Sequence, residues 1–136
     1  MRAFLSHSST DKGLVENVAE RLGRAKVFYD VYSIAGADDI VTALESGLAK
    51  CDVFALFVSK KSLASTWVNL EMSIAQRRAI LGDISKLCIF LIDEEVTEAD
   101  LPAFFRSVHI RREKSPRVIA DEIVRNMQLV ISSRQQ

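Results

Sequence analysis

Two side chains on one short stretch invite a chemical reading, Trp67 and Glu71 within Ser65-Thr-Trp-Val-Asn-Leu-Glu-Met-Ser-Ile-Ala75. The polar pair Ser65 and Thr66 reads as a helix cap, and Ile74 and Ala75 extend an apolar side, so a helix opens here. Residues four apart on a helix stand one above the other, which puts the indole and the carboxyl on a shared face. The ordinary account is a core tryptophan and a solvated first-turn acid favoured by the helix dipole. The chemical account is a lone carboxylate beside an aromatic plate. A second stretch, Ser6-His7-Ser8-Ser9, offers hydroxyls and the free backbone amides of a helix start, which suit an anion such as a diphosphate. Its ordinary account is plain helix capping.

Those residues matter together only if the chain brings them together. Arg2-Ala-Phe-Leu-Ser6 is a short apolar run, and Leu14, Val15, Val18, Ala19 and Leu22 then recur at helical spacing up to Gly23. Lys26-Val-Phe-Tyr-Asp30 reads as a second strand, and residues 32–39 as a loop containing Gly36. A helix follows, with Ile40, Val41, Leu44 and Leu48 on one side. Asp52-Val-Phe-Ala-Leu-Phe-Val58 and Lys86-Leu-Cys-Ile-Phe-Leu-Ile92 are apolar without alternation, as strands buried on both faces must be. Between them, residues 59–64 read as a polar connection into the Trp67 helix, which runs to about Leu81 and stops at Gly82. Val108-His-Ile110 reads as an edge strand, Arg111 to Lys114 as a solvated loop, and Ser115-Pro116 as the cap of a last helix that frays from Ser132.

Five strands alternating with helices call for a parallel sheet covered on both faces, linked by right-handed crossovers. With the most apolar strand third in sequence, the expected architecture is an α/β flavodoxin-like three-layer fold, strand order 2-1-3-4-5. Ligands in such sheets sit at the carboxyl ends of strands where successive connections leave to opposite faces, here between strands one and three. That rule puts the Ser6–Ser9 turn beside Trp67 and Glu71.

A carboxylate, an aromatic and an anion-holding turn fit cleavage of a ribosyl–nicotinamide bond. Ordinary glycosidases need a second carboxyl group to protonate the leaving oxygen. The nicotinamide of oxidised NAD is already cationic and departs neutral, so a single carboxylate suffices to hold ribose hydroxyls and stabilise oxocarbenium-like charge. Other chemistries find less support. No Walker lysine motif is present and no G-x-G-x-x-G follows a strand. His7 lacks a nucleophile and carboxylate set, His109 reads as structural, and no cluster has metal-ligand spacing. A receiver-type phosphoacceptor domain needs acids after strand one, where Phe4-Leu5-Ser6-His7 supplies none.

The chain is 136 residues long with 18 basic and 18 acidic side chains, so its zero net charge argues against general nucleic-acid or anionic-membrane binding. Cys51 and Cys88 lie in apolar surroundings without a partner motif and read as reduced core thiols. No signal peptide or spanning segment is legible, and a cytoplasmic location is expected.

The pieces Phe4-Leu-Ser-His-Ser-Ser9 with Asp11, Val27-Phe-Tyr-Asp30, Gly36 with Asp38-Asp-Ile40, Leu44 with Gly47-Leu48 and Cys51-Asp52, Val58-Ser59 with Ser62-Leu63, and Trp67-Val68 with Glu71 occur in an order that resembles a bacterial Toll/interleukin receptor (TIR) domain of the NAD-consuming type. The resemblance covers about residues 2–130, so one domain is expected over 1–136. It implies that Glu71 is catalytic and that Trp67 stacks on a base. It also implies that Ser6, His7, Ser8, Ser9, Asp30 and Gly36 line a site for NAD, which is substrate rather than cofactor. It further implies self-association through TIR–TIR contacts, hydrolysis or cyclisation of NAD in antiphage immunity, and a possible sensor domain beyond this chain. Two other readings stay open, a non-enzymatic interaction module and an effector that mimics host TIR domains.

Overall fold

Strands without polar–apolar alternation need helical cover on both faces, and this chain supplies it. A computed structural model of the protein describes residues 1–28 and 40–135. Five strands, β1 (Ala3–Ser6), β2 (Val27–Phe28), β3 (Val53–Val58), β4 (Lys86–Leu91) and β5 (Ile110–Arg112), form one sheet in the order β2-β1-β3-β4-β5. Every pairing is parallel, with Phe4 beside Phe54, Ser6 beside Leu56 and Ile89 beside both Leu56 and Ile110.

Period-two alternation divides the core between the faces. Ala3, Leu5, Val53, Ala55, Phe57 and Phe90 point to one layer, closed by helices α1 (Lys12–Leu22) and α6 (Pro116–Arg134). Phe4, Phe54, Leu56, Val58, Ile89 and Leu91 point to the other. That layer is covered by α2 (Ile40–Ala49), α4 (Thr66–Ile80) and the single turn α5 (Ala103–Arg106). Leu44 and Leu48 of α2 are buried in this layer, whereas the side chains of Ile40 and Val41 lie outside the described set. The helix after β1 thus goes to one face and the helices after β3 to the other, which makes the β1/β3 boundary the switch point of the sheet.

Four local expectations are corrected. Residues 59–64 are not merely a connection, because Lys60–Ala64 form a short helix, α3. A reciprocal Ser59–Ser62 capping box drives it, each backbone N–H donating to the other's hydroxyl, at 2.8 and 3.1 Å. The edge strand lies at Ile110–Arg112 rather than 108–110, and His109 is exposed just before it. Arg111 and Arg112 therefore belong to a strand. Arg112 donates to the carbonyls of Asp93 and Val96 at 2.9 and 2.6 Å, which gives a charged residue a polar outlet at the sheet edge. Finally α6 runs on through Ser132 to Arg134, whose guanidinium is paired with Asp52 and holds the last turn. Both cysteines are buried and free, and burial pushes each thiol up to about 12, so neither is a nucleophile at neutral pH. Among the described residues no helix is long and apolar enough to cross a membrane.

Candidate active site

Ser65 caps α4 by accepting the Val68 N–H at 3.2 Å, and Asn69 reinforces the turn by donating to the carbonyls of Leu63 and Ser65. From that start, Val68, Glu71, Met72 and Ala75 fall three and four apart and form the buried stripe of the helix. Glu71 is thus in the second turn of the helix, on the face that packs on the sheet, and is only 4 % exposed. It is not the solvated first-turn acid of the ordinary account.

Its partner comes from β1. Phe4 and Ser6 share the strand face that meets α4, and the Ser6 hydroxyl donates to Glu71 Oε1 at 2.7 Å across 65 residues of sequence. Ser6 is itself fully buried. Trp67, one turn before Glu71, is half-buried and packs against the same apolar layer, so its ring lies against the core while keeping an exposed part. Removing the carboxyl from water pushes the Glu71 pKa up to about 8, against which hydrogen bonding by the Ser6 hydroxyl and by the Trp67 side chain pulls it down. A carboxyl so placed is mostly neutral at pH 7 and ionises within reach of physiological conditions, as groups that exchange protons or charge in catalysis do.

The turn after β1 is built differently from a capping motif. The Ser8 hydroxyl does not cap the helical turn that follows. It donates to Asp11 Oδ2 at 2.8 Å, and Ser59 Oγ, at the end of β3, donates to the same oxygen at 2.6 Å. Asp11 thereby ties the connection after β1 to the connection after β3 across the switch point. His7 is buried and its Nδ1 lies 2.9 Å from the Leu5 carbonyl, whereas Ser9 is exposed at the start of a 3-10 turn, Ser9–Asp11. The Ser8 hydroxyl is accordingly committed to Asp11. Asp11→Ala leaves two buried hydroxyls without their acceptor and is expected to cost about 1–3 kcal/mol, with Asp11→Asn costing less. Thermal denaturation of the two variants checks this.

The fold brings Ser6, His7, Ser8, Trp67 and Glu71 to one end of the sheet, with Ser9 at its exposed margin. Asp30 and Gly36 lie outside the described residues. Asp11 and Ser59 were not singled out for the site from sequence, although the Ser-x-x-Asp spacing of Ser8 and Asp11 was there to read. No group of three or more metal-ligating side chains occurs among the described residues. A cavity of about 520 Å3 opens at the other ends of the strands, between Arg2, Lys26, Leu22 and Met127, with no carboxylate among the described residues of its walls.

Comparison with known proteins agrees with this architecture. The structure of the CMP N-glycosidase BcmB from Clostridium botulinum is similar, with a TM-score of 0.62 and 16 % sequence identity over 90 % of this chain and 97 % of that one. At that identity the likeness speaks for the fold alone. No curated protein sequence matches the chain. The family model described as TIR domain matches residues 3–122, most of its length. The chain belongs to the TIR domain family.

Proposed function

We propose that this TIR domain is an NAD glycohydrolase in which Glu71 is the catalytic residue. The observation that carries the reading is the buried carboxyl of Glu71, hydrogen-bonded to Ser6, on the sheet-facing side of α4 at the β1/β3 switch point. In the reaction the bond between ribose C1 and the nicotinamide nitrogen breaks with its electron pair going to nicotinamide, which departs neutral. The ionised Glu71 offsets the positive charge left on the ribose, and water adds at C1, giving ADP-ribose and one proton. Capture of C1 by an internal nucleophile instead of water yields a cyclic product. Trp67 offers the stacking surface and the turn after β1 the amides for the diphosphate. Asp30 and Gly36 complete the substrate site in this reading. Activity requires packing of one TIR domain on another and serves immunity, as the family resemblance implies.

A second reading has its own support. A carboxyl that is mostly neutral at pH 7 can donate a proton, which a nucleotide with an uncharged base needs for its base to leave. In that case Glu71 is a general acid and the substrate a nucleotide such as CMP, the substrate named for the structurally similar glycosidase. Incubation of concentrated, crowded protein with NAD and, separately, with CMP, followed by chromatography, separates the readings. Free nicotinamide with ADP-ribose or a cyclic isomer is expected from NAD. Free cytosine in its place favours the second reading, and no product from either leaves a non-enzymatic interaction module.

A further inference from the structure

We propose that Ser6 is a positioning residue for Glu71 and not a substrate contact: its hydroxyl, sealed between sheet and helix, orients the carboxyl and stabilises its ionised form. The inference rests on the proposed role of Glu71. Ser6 ends β1, which runs between β2 and β3 in the sheet, and its Oγ donates to Glu71 Oε1 at 2.7 Å. No surface of Ser6 is accessible, so a ligand meets the hydroxyl only if the residues packed on it move apart. Its three predecessors in the strand, Ala3, Phe4 and Leu5, are equally buried and wholly apolar. A hydroxyl in that run costs desolvation unless it has an acceptor, and the acceptor here is one carboxyl oxygen.

The surroundings leave this bond much of the work. Directly after β1 stands His7, whose Nδ1 lies 2.9 Å from the Leu5 carbonyl. From α4 itself comes Trp67, and the helix's Arg77 and Arg78 are both paired with Glu45 of α2. In the connections at the switch point, Asp11 is held by Ser8 and Ser59. Among the described residues, then, burial opposes ionisation of Glu71, and the hydrogen bond from Ser6 is the first of the two that oppose burial.

The test has one arm that needs no substrate. The Glu71 carboxyl carbon is observed by NMR in protein labelled with 13C-glutamate, its signal assigned by its absence from Glu71→Gln. Its titration is followed in the wild type, Ser6→Ala and Ser6→Cys. Loss of a hydrogen bond to a charged group is expected to raise the midpoint in Ser6→Ala by about one pH unit, with Ser6→Cys between the two because a thiol donates weakly. The second arm is NAD turnover at pH 7. Here Ser6→Ala is expected to lower kcat about tenfold and leave KM within about twofold, since it removes oriented carboxylate rather than a contact with substrate. An unmoved midpoint overturns the inference, and so does a variant that raises KM while keeping kcat. A moved midpoint in a protein that leaves NAD intact upholds the positioning of Glu71 and removes the glycohydrolase reading instead.

Discussion

Glu71→Gln is expected to abolish nicotinamide release, with a loss of roughly 10^3-fold or more, and at the same time to make the protein more stable at alkaline pH. The first effect follows from charge. The amide is nearly isosteric with the carboxyl and can still accept from Ser6, but it carries no negative charge to set against an oxocarbenium-like ribose. The second effect follows from linkage. An unfolded glutamate ionises near 4.5 whereas Glu71 in the folded protein does so near 8, so between those values the folded state holds a proton that the unfolded state has released. The contribution of Glu71 to stability is therefore highest below about pH 4.5, falls as pH rises through the interval, and reaches its full cost, about 4–5 kcal/mol, above pH 8. Glutamine removes that cost. Urea denaturation of wild type and variant at pH 5 and pH 8.5 should show near-equal stability at the lower pH and a clear advantage for the variant at the higher. A residue kept only for packing shows little loss of activity, while the pH-dependent gain on neutralisation, which follows from burial alone, remains.

A buried carboxyl that destabilises its own fold is also the clearest signal the amino-acid sequence holds for the site, and it is visible once the helix is laid out. Positions 68, 71, 72 and 75 form the core-facing stripe of α4, and a glutamate stands among Val68, Met72 and Ala75. Pairing Glu71 with Trp67 alone leaves the depth of its burial undecided, because depth depends on what covers the stripe. That cover is β1, contributed from 65 residues away, and its contact with Glu71 is a single serine. The sheet order was legible because β3, and β4 from Leu87 onward, are apolar without alternation, and such strands have to lie in the interior. The edge was less so. Ile110–Arg112 is a strand because it pairs with β4, with Arg112 finding two carbonyl acceptors beside it, a tertiary fact that local composition reads as a charged loop. The serines of the two switch-point turns are ambiguous for the same reason. Ser59 both caps α3 and donates to Asp11, 48 residues earlier, and helix-capping preference cannot tell a hydroxyl that only caps from one that also reaches across the fold.

The pH profile of kcat/KM for NAD is expected to climb about tenfold per pH unit and level off above pH 8, a rise of roughly 50-fold from pH 6 to pH 8. This parameter reports the ionisation of free enzyme and free substrate, and the nicotinamide ring of NAD does not titrate in that range, so the limb belongs to the enzyme. If the working form of Glu71 is the carboxylate, only the small ionised fraction is productive below pH 8, and each unit of pH multiplies it by ten. A cationic nicotinamide beside the carboxyl favours that ionised form, so binding of NAD below pH 8 also expels a proton, which calorimetry in buffers of different ionisation enthalpy detects. For a nucleotide with a neutral base the same side chain has to work as an acid, and the limb reverses, flat below pH 8 and falling tenfold per unit above it. The direction of one limb therefore states which protonation state of Glu71 does the chemistry, and with it whether the leaving group arrives charged or neutral. A flat profile between pH 6 and pH 9 places the ionisation of Glu71 outside that interval. Glu71→Gln supplies the control, since any limb that survives in its residual activity originates elsewhere in the protein.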